Sequence, residues 1–202
     1  MKKLEAVRTP RITRESLLTL EAYAKTRNDY RAKVIAHKKD RTVHLGEHLT
    51  LLFEDELTVR YQIQEMLRIE KTFDQGGIQD ELDVYNPLVP DGHNWKATLL
   101  VEYEDVDERK AVLAKLKGIE DRIWVQVEGA ARVYAIADED LKRENETKTS
   151  SVHFVRFDLT PEMIAAVKYG VGVSIGVDHP AYTFTLLAVS DATRRALLAD
   201  LD

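Results

Sequence analysis

The sequence predicts an α+β fold: N-terminal helices and a strand packed on two β-α-β-β units of mainly antiparallel sheet. Three observations lead there. Apolar residues recur at helical spacing through residues 13–39 and again through 58–73, whereas after residue 96 short stretches alternate apolar and polar residues as half-buried strands do. The order strand, helix, strand, strand then occurs twice. Turn residues punctuate the chain where those elements would end, at Gly76-Gly77, Asn86-Pro87, Glu128-Gly129 and Asp178-His179-Pro180. Residues 1–95 read as a helical region with one strand or hairpin, and 96–202 as the paired units plus a C-terminal helix, the two together forming two regions or one compact domain.

Taken in order, a first helix starts at Thr13 or Ser16 as cap and runs to about Lys39, with Leu17, Leu20, Tyr30, Val34 and Ile35 on its apolar side and Asn28-Asp29 as a point where it would divide. Residues 42–53 alternate as a strand. Val43, Leu45, Leu49, Leu51 and Phe53 share one face with Glu47 as the exception, and His44, Gly46, His48 and Thr50 share the other. The turn FEDEL feeds a helix, TVRYQIQEMLRIEKTF, that ends at Gly76-Gly77, and the short helix IQDELDVY follows. In the first unit KATLLVEYED is a strand, VDERKAVLAKLK a helix capped by Asp105 and closed by Gly118, and RIWVQV with RVYAIAD a hairpin. In the second, SVHFVRFDL is a strand, TPEMIAAVKY a helix capped by Thr160, and VGVSIGV with YTFTLLAV a hairpin. The shared pattern suggests a duplication. A charged linker, LKRENETKTSS, separates the units, and a helix from about Ser190 closes the chain.

Composition narrows the chemistry. With 44% hydrophobic and 32% charged residues in 202, the chain is that of an ordinary globular protein. No apolar run approaches the roughly 18 residues of a membrane helix, and the N-terminal lysines precede no apolar signal stretch, so a cytoplasmic location is expected. Cysteine is absent, which excludes thiol nucleophiles, disulfides and cysteine-held metal clusters within this chain. Residues 1–44 hold 12 Lys and Arg against 5 Asp and Glu, whereas residues 45–202 hold 17 against 30. A basic arm of this kind meets nucleic acid or packs across the protein's own acidic surface. Its charges are spread along helix without interleaved aromatics, which favours the second and makes a nucleic-acid partner the weakest expectation.

Glu70 is the residue out of place in this pattern. On a helical wheel it falls among Val59, Ile63, Met66, Leu67 and Phe73. A carboxylate there is either half of a buried ion pair, with Arg60, Arg68, Arg122 or Arg156 as partner, or a metal ligand or general base. Glu81 repeats the arrangement beside Ile78, Leu82 and Tyr85. Two such carboxylates converging across Gly76-Gly77, with the loop residue His93 as imidazole, compose a ligand set for Fe, Mn or Zn. No Glu-x-x-His or His-Glu-x-x-His motif accompanies them, and architecture is the favoured reading. Among the other histidines, His37 reads as solvated, His44 and His48 as strand residues too far apart to share a metal, His153 as a satisfied core residue and His179 as part of a turn. YGVGVSIGVDHP lacks the Gly-x-Gly-x-x-Gly spacing of a nucleotide loop and reads as a strand with one small-residue face.

Several passages resemble a bacterial family known only as a domain of unknown function: LLFEDELTVRYQIQEMLRIEK, GIQDELDVYNPLVPDGHNWKATLLVEYED, LKGIEDRIWVQVEG, VYAIADEDLKRENETKTSSVHFVRFDLT and GVDHPAY. The resemblance spans nearly the whole chain. Genes of that family often stand beside those of rubrerythrin-like proteins and heterodisulfide-reductase-related iron–sulfur oxidoreductases, which implies peroxide defence or electron transfer. The expectation is therefore a cytoplasmic accessory protein that binds such a partner without carrying electrons itself. A metal-dependent enzyme or metal-binding protein using Glu70, Glu81 and His93 is the alternative, and a homodimer is compatible with either.

Overall fold

The computed structural model describes residues 12–137 and 149–202. The start of the basic arm, and the charged linker up to residue 148, lie outside them. A 3-10 turn at Arg14–Ser16 precedes α1 (Leu20–Lys39), whose cap is Thr19: its hydroxyl accepts from Ala22 N at 3.2 Å. Leu17 is extended, which moves the helix start past both expected caps, and α1 continues unbroken through Asn28-Asp29.

The strand expected over 42–53 is a hairpin of β1 (Thr42–His44) and β2 (Leu49–Phe53), with Val43 opposite Leu51. Gly46 turns the chain at φ +80°, a backbone state that glycine reaches without strain. Because the reversal keeps parity, Val43, Leu45, Leu49, Leu51 and Phe53 are all buried, and Glu47 stands exposed at the turn.

Next, α2 (Glu56–Glu70) begins with a reciprocal Asp55–Thr58 capping box and ends at Lys71, whose φ of 54° is left-handed. The break between the helices therefore falls at residues 71–74. Gly76 and Gly77 lie inside the first turn of α3 (Gln75–Tyr85), where a side chain on Gly77 would collide with Thr72. Beyond it come β3 (Asn94–Val101), α4 (Val106–Lys115), β4 (Ile123–Val127), β5 (Val133–Tyr134), β6 (Val152–Asp158), α5 (Pro161–Lys168), β7 (Val173–His179), β8 (Tyr182–Leu186) and α6 (Asp191–Leu198).

The strands form two antiparallel sheets, ordered β1-β2-β3-β6 and β5-β4-β7-β8. The two units interleave. Each contributes its first strand to the first sheet and its last two to the second, and counterpart strands pair, β3 with β6 and β4 with β7. Strand β3 contains residues 95 and 96 and also pairs with β2, so the first sheet draws on both sides of that point. The sheets face one another across a single core that includes Leu51, Phe53, Trp95, Leu99, Val125, Phe157 and Ile175, with Leu113, Ile164, Val167 and Leu197 from α4, α5 and α6. One seam is closed by paired main-chain hydrogen bonds between Ile136 and Arg156 at 2.9 and 2.8 Å. At the other, the Tyr182 hydroxyl donates to Leu45 O at 2.7 Å.

The N-terminal helices flank the first sheet. Val59, Ile63 and Leu67 of α2 form a second cluster with Ile12, Leu82, Leu88 and Val89, against which Phe154 of β6 packs. Among the described residues no helix is long and apolar enough to cross a membrane.

Candidate functional site

The last turn of α2 and the first two of α3 place Glu70 and Glu81 together, but at the surface. Glu70 is exposed and, among the described residues, makes no hydrogen bond or ion pair. Three of the four arginines expected as its partners are engaged elsewhere: Arg60 with Glu56, Arg68 with Glu65 and Arg156 with Asp158. A wheel gives a residue's angle and not its height along the axis. Glu70 lies on the buried side of α2 but is its final residue, past the cover of its neighbours. Phe73 had widened the apparent apolar face, yet it follows the left-handed Lys71, leaves the helix and is 78% exposed.

Glu81 is half-buried. Partial burial pushes its carboxyl above the ordinary range, and the negative charges of Glu70 and Asp80 add to the shift. The negative charge of Glu70 thus reaches Glu81, while Glu70 itself stays exposed and does not point inward with it. His93 is an exposed loop residue; its N–H donates to Asp91 Oδ1 at 2.9 Å and its carbonyl accepts from Leu159 N at 2.9 Å. Among the described residues no three His, Asp or Glu side chains gather as a metal-binding group.

Beside this carboxylate pair the surface is apolar. Ile69 is 60% exposed, and Phe73 lines a groove of about 220 Å³ with Leu17, Leu18, Leu67 and Ile78. An exposed aromatic that continues into an apolar groove forms a contiguous apolar patch, the kind of surface that marks an interaction site. Residues 70–85 carry five carboxylates against the single ammonium of Lys71, so the apolar strip has an acidic flank, with Arg14 on the opposite wall.

A second polar assembly had no signal in the sequence. Arg41 is buried and donates to both oxygens of Asp200, at 2.8 and 2.9 Å, while its Nε pairs with Asp55 at 3.0 Å. Asp55 also lies 2.6 Å from His37 Nε2, so His37 is half-buried with a hydrogen-bond partner and is not the fully solvated residue the sequence suggests. Burial pushes the Asp200 carboxyl up, and Arg41 pulls it back down. This network ties the start of α2 to the C-terminal segment.

The remaining histidines have structural partners. His44 Nδ1 lies 3.0 Å from Thr50 Oγ1 across the hairpin, and His48 stacks on Tyr103 at 3.9 Å. The 42–53 hairpin brings both towards Glu102, through Thr50 Oγ1 at 2.5 Å and through the Glu102 carbonyl at 3.1 Å from His48 Nδ1. His153 is buried with Nε2 at 3.0 Å from Thr149 Oγ1, and His179 is buried at the end of β7 with Nε2 at 3.1 Å from Lys117 O.

Fold and surface together define an α+β protein of two interleaved antiparallel sheets with a helical flank that presents an apolar strip edged by carboxylates. Residues 11–201 match the model of the family described as "Protein of unknown function (DUF3501)", and the chain belongs to that family. It is similar to a crystal structure described as a novel protein of unknown function from Burkholderia pseudomallei, at 58% identity and TM-score 0.90, covering 95% of this chain and 99% of that one. No curated protein matches it.

Proposed function

We propose that the protein is a cytoplasmic accessory protein that docks a protein partner on the α2–α3 end, without carrying electrons itself. The observation that carries this reading is the exposure of Phe73, 78%, on an apolar groove lined by Leu17, Leu18, Leu67 and Ile78, in a segment rich in carboxylates. Aromatic side chains are enriched at interfaces, where a few anchors buried in the partner's pockets carry most of the binding energy. The negative charges of Glu70 and Asp80 both act on Glu81 in the free protein, so the complementary partner presents an apolar projection flanked by Lys or Arg. The resemblance described above supports a rubrerythrin-like protein or an iron–sulfur oxidoreductase as that partner, in an oxidative-stress or redox system.

The test is a titration of the purified rubrerythrin-like protein and the oxidoreductase into this protein. A complex at micromolar concentration, weakened at least about tenfold by Phe73→Asp, is the expected result. The metal-dependent alternative, with Fe, Mn or Zn on Glu70 and Glu81, makes a different demand: near-stoichiometric metal in protein purified without chelator or His tag, lost in Glu70→Gln.

A further inference from the structure

On the outer side of the first sheet, behind α2, lies a cavity of about 290 Å³ that the docking surface does not use. That is close to the lower limit of small-molecule sites. Leu52, Leu100, Val152 and Phe154 of the sheet form one wall, and Val59 and Tyr85 of the helices face them. The alternation of β2 and β3 explains the lining. Residues 51, 53, 97 and 99 point to the core, so 52, 54, 98 and 100 point out, into this space.

The floor is a buried carboxylate. Glu54 is 8% exposed; Thr98 Oγ1 donates to its Oε1 at 2.6 Å and Thr58 Oγ1 donates to its Oε2 at 2.5 Å. A carboxylate has about four acceptor positions, so two hydroxyl donors leave capacity unused. Among the described residues no ammonium or guanidinium forms an ion pair with Glu54. The nearby guanidinium, Arg41, is committed to Asp55 and Asp200 and reaches only the main-chain oxygen of Glu54, at 3.5 Å. Three carboxylates therefore share one buried cation. Buried acidic groups are ordinarily paired, because water no longer solvates their charge.

The mouth has the opposite character. Lys38 is half-buried and Gln62 exposed, both lining the opening, and the Lys38 ammonium lies 6.0 Å from the Tyr61 ring centroid and not on Glu54. A cavity with an acceptor at its floor, apolar walls and donors at its mouth matches a small zwitterion.

We propose that this cavity binds an amino acid with an apolar side chain, its ammonium on Glu54, its carboxylate towards Lys38 and Gln62, and its side chain against Leu52, Leu100 and Phe154. This assignment is independent of partner docking.

Calorimetric titration of the full chain with L-phenylalanine, phenethylamine and hydrocinnamate tests it, because the two analogues lack the carboxylate and the ammonium respectively. L-Phenylalanine is expected to bind at one saturable site, phenethylamine more weakly, and hydrocinnamate not at all. Glu54→Gln should weaken L-phenylalanine binding at least about tenfold. Lys38→Met should weaken L-phenylalanine binding and leave phenethylamine unchanged. Leu100→Trp, which fills the cavity without touching Glu54, should abolish binding and provides the same test if Glu54→Gln does not fold. No saturable binding of L-phenylalanine or L-leucine at millimolar concentration, or hydrocinnamate binding as well as L-phenylalanine, would overturn the proposal.

Discussion

Glu65 stands where α1 meets α2, and three side chains converge on it. Arg27 donates to both carboxylate oxygens at 2.8 Å, the Tyr23 hydroxyl at 2.7 Å and Arg68 at 3.1 Å. Chiefly through Arg27, its carboxyl is held at about 2, well below the ordinary value of 4.5. A depressed carboxylate stabilises the fold above its unfolded value, and that stability drains away as pH falls from about 4.5 towards 2. Glu65→Gln should therefore cost about 1–2 kcal/mol at pH 7 and almost nothing near pH 2, as denaturant midpoints across that range would reveal. Glu81 has the opposite sign. Its raised value means that deprotonation is easier in the unfolded chain, so wild-type stability declines as pH rises from the unfolded value through the folded one. Glu81→Gln is expected to raise stability at pH 7 by no more than about 0.5 kcal/mol, the scale of like-charge repulsion on a helix surface, and to give no gain well below pH 4.5. A Glu81→Gln protein less stable than wild type at pH 7 would mean that the carboxylate has a partner.

At the scale of elements, close approach matters more than turn chemistry. On the outer face of the second sheet the Trp124 ring lies flat against Gly176, opposite it across β4 and β7, and Arg132 covers the ring at 3.9 Å. A methyl group on Gly176 would overlap both the indole and the Phe184 carbonyl, so Gly176→Ala should destabilise by about 1–3 kcal/mol in chemical denaturation. An unchanged midpoint would show that the indole moves freely. Much of this level is legible in the sequence. Asp105, Thr160 and Ser190 cap the helices expected of them, and the small-residue face of VGVSIGV is the face against which Trp124 lies. The sequence leaves a single strand and a hairpin at Gly46 as alternatives, because reversal there keeps every apolar residue on its expected face. The α2–α3 break was hidden because Gly76-Gly77 resembles a terminator but serves as a thin first turn over Thr72.

At the scale of the whole molecule, distant pairings govern what a linear reading misses. Arg41 and Asp200 stand 159 residues apart, and nothing local to either announces the other. Glu54 reads as one acid among several in FEDEL until β2 and β3 place it on the outer face of the sheet with Thr98 beside it. Glu70 drew notice for its angle on a wheel. The fold returns it to the surface at the end of α2, where its charge is felt by Glu81 and Phe73 of the apolar strip stands exposed three residues on. Surfaces assembled from three helices in this way become visible only once the helices are docked. Binding of a protein partner at that strip is the central claim, and calorimetric titration of the rubrerythrin-like protein and the iron–sulfur oxidoreductase into wild type and Phe73→Asp tests it most directly. The account predicts micromolar affinity for one of them that Phe73→Asp reduces at least about tenfold. Absence of any complex, or equal affinity for the variant, would contradict it.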